Sequence, residues 1–271
     1  MGELFVVATP IGNLEDISFR AIRILKEVDL IAAEDTRHTL KLLNYYEISK
    51  PMLSYHRHNE DIKTDILINK LLEGKKIALV SDAGTPGISD PGEAIIKECI
   101  SKGIKVTSIP GACAMINALI CSGINTKEFC FIGFLPLNKK NRKQKLEYIS
   151  QENKTLIMYE APHKLKTTIM DLEKILGKRQ IVLARELTKI HEEFIRGTAN
   201  EIIEKIEMLK GEFVIIIEGC EIKEEDNKLI ELSLEEHFKY YEREGLDKKE
   251  IIKKIAKDRS VSKNEIYKKF I

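Results

Sequence analysis

The sequence predicts an α/β protein built from two α/β domains and a small helical tail. Three observations predict it. Short β-rich apolar runs alternate with helix-patterned segments from Leu4 to Ile109. The same alternation restarts near Asn125, and after Glu218 the chain turns polar and then helical. A chain of 271 residues exceeds one typical domain, and 43% hydrophobic with 32% charged residues is a globular balance with a sizeable core.

In the first half, strands are expected at Leu4 to Ala8, Leu30 to Ala33, Ile77 to Val80 and Val106 to Ile109, with helices between them. Strand and helix in strict alternation imply a parallel sheet covered on both faces. In the second half, strands are expected around Phe129 to Gly133, Thr155 to Tyr159, Gln180 to Ala184, Glu193 to Arg196 and Phe213 to Ile217, as a second α/β unit that could carry a mixed sheet. The domains are therefore placed at 1–120 and 121–222, with a polar linker at 223–232 around Lys223 to Lys228 and a tail at 233–271. Ser233-Leu234-Glu235-Glu236 and Ser262-Lys263-Asn264-Glu265 have the capping-box spacing, and Asp247-Lys248-Lys249-Glu250 is a looser relative. Gly245 would stop the first of three helices, and Ile251, Ile252, Ile255, Ala256, Val261, Ile266, Tyr267 and Phe270 would fill one small core, a helix-turn-helix-like arrangement.

Composition narrows the function. No apolar run has the length of a membrane span, and Met1 to Ala8 runs straight into a strand without the segments of a secretion signal, so a cytoplasmic location and no membrane partner are expected. Cys99, Cys113, Cys121, Cys130 and Cys220 form no metal-ligand or disulfide spacing, and no metal is expected. A net charge of +1 excludes a uniformly basic nucleic-acid protein and leaves local patches as the means of phosphate contact.

Three strand-to-helix loops are rich in small residues: Ala8-Thr9-Pro10-Ile11-Gly12-Asn13, Val80-Ser81-Asp82-Ala83-Gly84-Thr85-Pro86-Gly87-Ile88-Ser89-Asp90-Pro91-Gly92, and Ser108-Ile109-Pro110-Gly111-Ala112-Cys113-Ala114. Loops at the carboxyl ends of parallel strands open on one edge, where glycines let a ligand approach the backbone, so they should form one cleft. Each alone would read as a tight turn. Neither GxGxxG nor GxxxxGK[ST] occurs, which argues against dinucleotides and nucleoside triphosphates.

These residues resemble the tetrapyrrole-methylase superfamily: Ala8 to Leu14, Ala33-Glu34-Asp35-Thr36-Arg37, Ser81 to Pro86, Ser89 to Gly92 and Ile109-Pro110-Gly111. Within it, Gly133-Phe134-Leu135-Pro136, Tyr159 to Lys164, Ala184 to Lys189 and Gly211-Glu212 extend the likeness to the ribosomal small-subunit RNA methyltransferase I family across nearly the whole chain. The resemblance implies a homodimer with S-adenosylmethionine between the two domains. It implies 2′-O-methylation of a decoding-region cytidine in 16S ribosomal RNA, naked or in the assembled small subunit. It also implies cofactor contacts from Pro10, Asp82, Gly84, Thr85, Ile88, Ala112, Cys113, Ala114, Leu135, Tyr159, Glu186 and Gly211.

A ribose hydroxyl is a poor nucleophile until a base or charge network assists its deprotonation. Glu34, Asp35 and Arg37 follow the second strand on the same edge as the loops, and serve either that chemistry or an acidic helix cap. His56, in Ser54-Tyr55-His56-Arg57-His58-Asn59-Glu60, and Glu160 are the next acid-base candidates; salt bridges between the domains are the rival reading for Glu160, His163, Arg185, Glu186 and Lys189. Lys139-Lys140-Asn141-Arg142-Lys143-Gln144-Lys145 carries five positive charges at the expected cleft mouth, and nine cations against four acids lie from Gly245 to Ile271. Tyr240, Tyr241 and Tyr267 are expected in the tail core. Two other readings stay open: a methylase acting on a tetrapyrrole, disfavoured by Ala-Thr-Pro-Ile-Gly-Asn where such enzymes favour Gly-x-Gly-Pro-Gly-Asp, and a non-catalytic RNA-binding assembly factor.

Overall fold

The structure is a computed structural model that describes residues 1–206, 211–221, 229, 232–259 and 261–270. They divide into two compact units, 1–219 and 220–271. The first unit holds two five-stranded sheets. Strands β1 (Glu3–Val7), β2 (Leu30–Ala33), β3 (Met52–Ser54), β4 (Lys76–Val80) and β5 (Lys105–Ile109) form a wholly parallel sheet in the order β3-β2-β4-β1-β5. The sequence reading missed β3. Three residues are too short to show an alternation, and this strand lies at the sheet edge, paired only to β2.

Alternate strand residues serve opposite faces, as the pleat requires. Phe5, Val7, Ile31, Ala33, Ala78 and Val80 pack under α1 (Phe19–Glu27) and α2 (Thr36–Tyr45). Leu4, Ala32, Ile77 and Leu79 pack under α3 (Glu60–Leu72) and α4 (Glu93–Ser101). Covering both faces buries β1, β2 and β4 almost completely, which is why these strands read as continuous apolar runs.

The chain then crosses to a second sheet through α5 (Ala114–Ser122). Strands β6 (Phe129–Phe134), β7 (Thr155–Glu160), β8 (Ile181–Arg185), β9 (Glu193–Gly197) and β10 (Phe213–Ile217) take the order β6-β7-β10-β8-β9. Only β6 and β7 are parallel, so the sheet is mixed. One face packs on α6 (Lys139–Ile149), α7 (Pro162–Leu176) and α8 (Ala199–Ile203). The other receives α5: Ala118 and Leu119 sit with Ile11, Ile157, Val182, Leu187, Val214 and Ile216 in one buried cluster. A helix that follows the last strand of the first sheet thus packs on the second, and holds the two sheets in one unit.

In the second unit, α9 (Leu234–Arg243), α10 (Lys248–Asp258) and α11 (Lys263–Phe270) surround Tyr241, Ile251, Ile252, Ile255, Ala256 and Ile266. Ser233 and Glu236 form a reciprocal capping box, as do Asp247 and Glu250, and Ser262 accepts from the Glu265 amide. Gly245 stops the first helix at φ +82°. Tyr240 and Tyr267 are exposed, so of the three tyrosines placed in this core only Tyr241 belongs there. The linker expected at 223–232 lies mostly outside the described residues.

Candidate active site

The three small-residue loops leave the carboxyl ends of β1, β4 and β5 and are stitched to one another. Thr9 and Gly84 exchange backbone hydrogen bonds of 2.9 and 3.0 Å, joining the first loop to the second. The Thr85 hydroxyl donates to the Ala112 carbonyl at 3.1 Å, joining the second to the third. Gly84 makes this possible. It sits at φ +80°, and a Cβ there would approach Ile11 Cγ2 to 3.2 Å.

Between these loops and the second sheet lies a cleft of about 310 Å³. Ile11, Ala83–Thr85, Ile88–Asp90 and Cys113–Ala114 form one wall, and Phe134, Tyr159–Pro162, Leu187 and Glu212–Val214 the other. Its position at the strand ends of a parallel sheet is where such folds bind ligands. Tyr159 is largely buried in this wall. Burial and the nearby Cys113 and Asp90 push its phenol up to about 12, although the Met115 amide favours the anion. It is a neutral hydrogen-bonding wall.

Beside the cleft, the ends of β2 and β4 bring three carboxylates together. The Asp82 amide donates to Glu34 at 3.4 Å, and the Asp35 amide donates to Asp82 Oδ1 at 3.0 Å. Burial raises the Glu34 carboxyl; the Asp82 charge raises it further, and the Asp82 amide, Arg57 and His56 oppose. Asp90 is pushed up to about 6 by burial, then by the charges of Glu34 and Asp82, against the pull of Arg57. Arg57 reaches across from the β3–α3 connection to donate to the Ser89 carbonyl, and Glu60 accepts from the Gly92 amide at 3.0 Å. The histidine-containing connection thus supports the loop that carries Asp90.

The structure sorts the residues expected from sequence. Gly84, Thr85, Ile88, Cys113, Ala114, Tyr159 and Glu160 line the cleft. Pro10 lies between the Thr9 bridge and Ile11, Ala112 accepts from Thr85, and Asp82 holds the turn into α2. The Leu135 side chain is buried in the core of the second sheet. Glu186 and Gly211 form a clasp beside the cleft: Glu186 accepts from the Glu212 amide at 3.0 Å and from Lys189 at 3.1 Å. Gly211 is at φ +111°, and a Cβ there would meet the Glu186 carboxylate at 2.5 Å. Burial of Glu186 is outweighed by the Glu212 amide and Lys189, which leave its carboxyl below the usual range.

Among the acid-base candidates, Asp35 caps α2 and chelates the Arg37 guanidinium at 2.7 Å, which holds its carboxyl well below the usual range. His56 turns back on its own loop, with Nε2 3.2 Å from Asn59 Nδ2. Glu160 is 5% exposed; it accepts from Thr168 and from the Ala161 amide, with Arg142 at 3.9 Å. Arg142 also binds Asp171 at 2.7 Å, so this member of the basic run is internal while Lys139, Lys140 and Lys143 stay exposed. Arg259 of the tail is likewise internal, donating to His237 and to the Leu229 and Leu232 carbonyls. Sequence reading did not name Asp90, Phe134 or Arg57 as site residues, although all three lie inside quoted segments; what marks Asp90 and Phe134 is their convergence on one cleft, and what marks Arg57 is its reach to the Ser89 carbonyl.

A wholly parallel sheet and a mixed sheet, with a cleft at the carboxyl ends of the first, define the class. The family described as Tetrapyrrole (Corrin/Porphyrin) Methylases matches residues 3–203. Solved structures with this fold include the methyltransferase CobJ, at TM-score 0.63 and 16% identity over 81% of this chain and 95% of that one. Uroporphyrin-III C-methyl transferase from Thermus thermophilus, complexed with S-adenyl homocysteine, aligns at TM-score 0.58 and 15% identity over 80% of this chain and 97% of that one. At such identities the likeness is one of fold. Sequence relatives are far nearer: Ribosomal RNA small subunit methyltransferase I of Halalkalibacterium halodurans is 51% identical over 98% of this chain and 93% of its own length. The chain belongs to the ribosomal RNA small subunit methyltransferase I family within the tetrapyrrole methylases.

Proposed function

We propose that this chain uses S-adenosylmethionine to methylate the ribose 2′-hydroxyl of a decoding-region cytidine in 16S ribosomal RNA, in the cytoplasm and as a homodimer. The observation that carries the reading is the stitched three-loop cleft, in a chain near-identical in extent to relatives named for small-subunit ribosomal RNA. The residues present fit the cofactor. Apolar walls and the ring of Tyr159 suit a flat purine, Gly84 opens backbone that a Cβ would cover, and the Glu212 carboxylate suits a cation. When bound, the sulfonium supplies an electrophilic methyl group.

The chain's own part is to orient the acceptor and accept its proton. Asp35 fits poorly as the proton acceptor, because Arg37 holds its charge, and Glu160 is already engaged by Thr168 and Arg142. Exposed lysines along α6 and α11 suit phosphate contacts. The test is transfer of label from S-adenosylmethionine to small ribosomal subunits that lack the modification, followed by digestion to nucleosides. Label in 2′-O-methylcytidine is expected. Label on a tetrapyrrole acceptor instead, or none in RNA, overturns the reading.

A further inference from the structure

We propose that the corner of the cleft between Phe134 and Asp90 is the acceptor subsite, in which the Phe134 ring stacks on the target base and the Asp90 carboxylate takes the proton of the ribose hydroxyl. The inference rests on the RNA reading above and assigns its acceptor side. Both residues line the cleft, one from each wall. Phe134 is 56% exposed, an unusual position for a phenylalanine, and its ring stands 5.7 Å edge-on from the largely buried Tyr159 ring, whose hydroxyl lies near enough to Asp90 to feel its charge. The two walls meet here: a Cβ on Gly133, the residue before Phe134, would lie 3.5 Å from Ser89 Oγ, the residue before Asp90. An aromatic face is open to a base, and a half-buried carboxylate stands across from it.

The chemistry favours Asp90 over the other acids. The groups that face it are Glu34 from β2, Asp82 from β4 and Arg57 from the β3–α3 connection, with Tyr159 of β7 across the cleft and His56 behind Glu34. Two negative neighbours and burial outweigh one cation, so this carboxylate ionises near pH 6 and is ionised yet basic at neutral pH. In the step, the oxygen–methyl bond forms as the sulfur–methyl bond breaks, the sulfur keeps the bonding pair and leaves as S-adenosylhomocysteine, and the hydroxyl proton passes to Asp90. Unstacked bases are commonly held on aromatic rings when RNA is read as single strand, which suits an exposed Phe134 at the cleft mouth.

Four measurements on the full chain test the assignment: kcat and KM with unmodified small subunits, the pH profile of kcat, calorimetric binding of S-adenosylhomocysteine, and RNA affinity. Asp90→Asn should lower kcat by about a hundredfold or more while S-adenosylhomocysteine still binds. Wild-type kcat should rise with pH through an acid limb near 6. Glu34→Gln, by removing a negative neighbour, should move that limb to lower pH by about half a unit or more. Phe134→Ala should weaken RNA binding and raise KM roughly tenfold, with Phe134→Tyr restoring both. The assignment is overturned if Asp90→Asn keeps its kcat, if its loss of activity follows loss of S-adenosylhomocysteine binding, if the limb ignores Glu34, or if Phe134→Ala acts on cofactor binding alone. Wild-type chain that labels no RNA at all would instead refute the parent reading.

Discussion

Asp90 shows how a single side chain can trade stability for chemistry. Its carboxyl ionises near 6 in the fold against an ordinary value of 3.8, so the folded state holds its proton more tightly than the unfolded chain does. The contribution to stability is complete below the unfolded value and is lost as pH rises through 6. Asp90→Asn should therefore stabilise the protein at pH 8 by on the order of 1 kcal/mol, after discounting for solvent near a half-buried group. The gain should vanish near pH 3.5. Thermal midpoints of the variant and wild type across that range check it; a variant less stable than wild type at pH 8 contradicts the account. Asp35 is the opposite case. Its Arg37 partner and the amide it caps, both two residues along the chain, already use the charge, whereas the groups that raise Asp90 reach it from far along the sequence.

At the scale of elements, α6 joins two functions on two faces. Arg142 points inward, with its side chain 12% exposed, and holds Asp171 and Thr168 at 2.7 Å beside the buried Glu160. Arg142→Ala leaves that carboxylate without its cation and should cost about 3–5 kcal/mol of stability. Lys140→Ala, two residues away on the same helix and exposed, should cost less than about 0.5 kcal/mol. Equal melting losses for the two variants would remove the distinction. In the tail, His237 is fully buried between Asp258, 3.3 Å from Nε2, and Arg259, which donates to Nδ1. Burial and Arg259 lower its pKa from 6.5, against the pull of Asp258. A base lowered in this way gives stability above the unfolded value that is lost as pH falls through the folded one. Wild-type chain should thus lose thermal stability between pH 7 and 5 more steeply than His237→Gln, and parallel slopes would refute the assignment.

At the scale of the whole molecule, the parts legible in the sequence were those set by local periodicity. Nine of the ten strands could be placed because β-rich apolar runs such as Phe213–Ile217 are bounded by turns, and the second sheet could be mixed because no rule of alternation forced it parallel. The three loops could be assigned to one edge because a parallel sheet has only one carboxyl edge. What stayed hidden depends on contacts far apart in the chain: β3 is defined by its partner β2, Arg142 reads as a phosphate contact until Asp171 is seen beside it, and Phe134 and Asp90 meet only once two sheets face each other. Charge is the last such property. With a net charge of +1, the molecule as a whole exerts no strong pull on RNA, so affinity must come from local cations that displace counterions from the phosphates they meet. The cations spent internally, Arg142 and Arg259, release none. Replacing Lys139, Lys140 and Lys145 of α6 with alanine should reduce the slope of log affinity against log salt by about 2, at roughly 0.7 per single-strand phosphate contact. Lys263, Lys268 and Lys269 of α11, all exposed, form the comparison set. A reduced slope in both variants would mean that each patch meets phosphate. A slope unchanged in the α6 variant would remove that helix from the RNA-binding surface and leave stacking at the cleft mouth, with the tail, to supply the affinity.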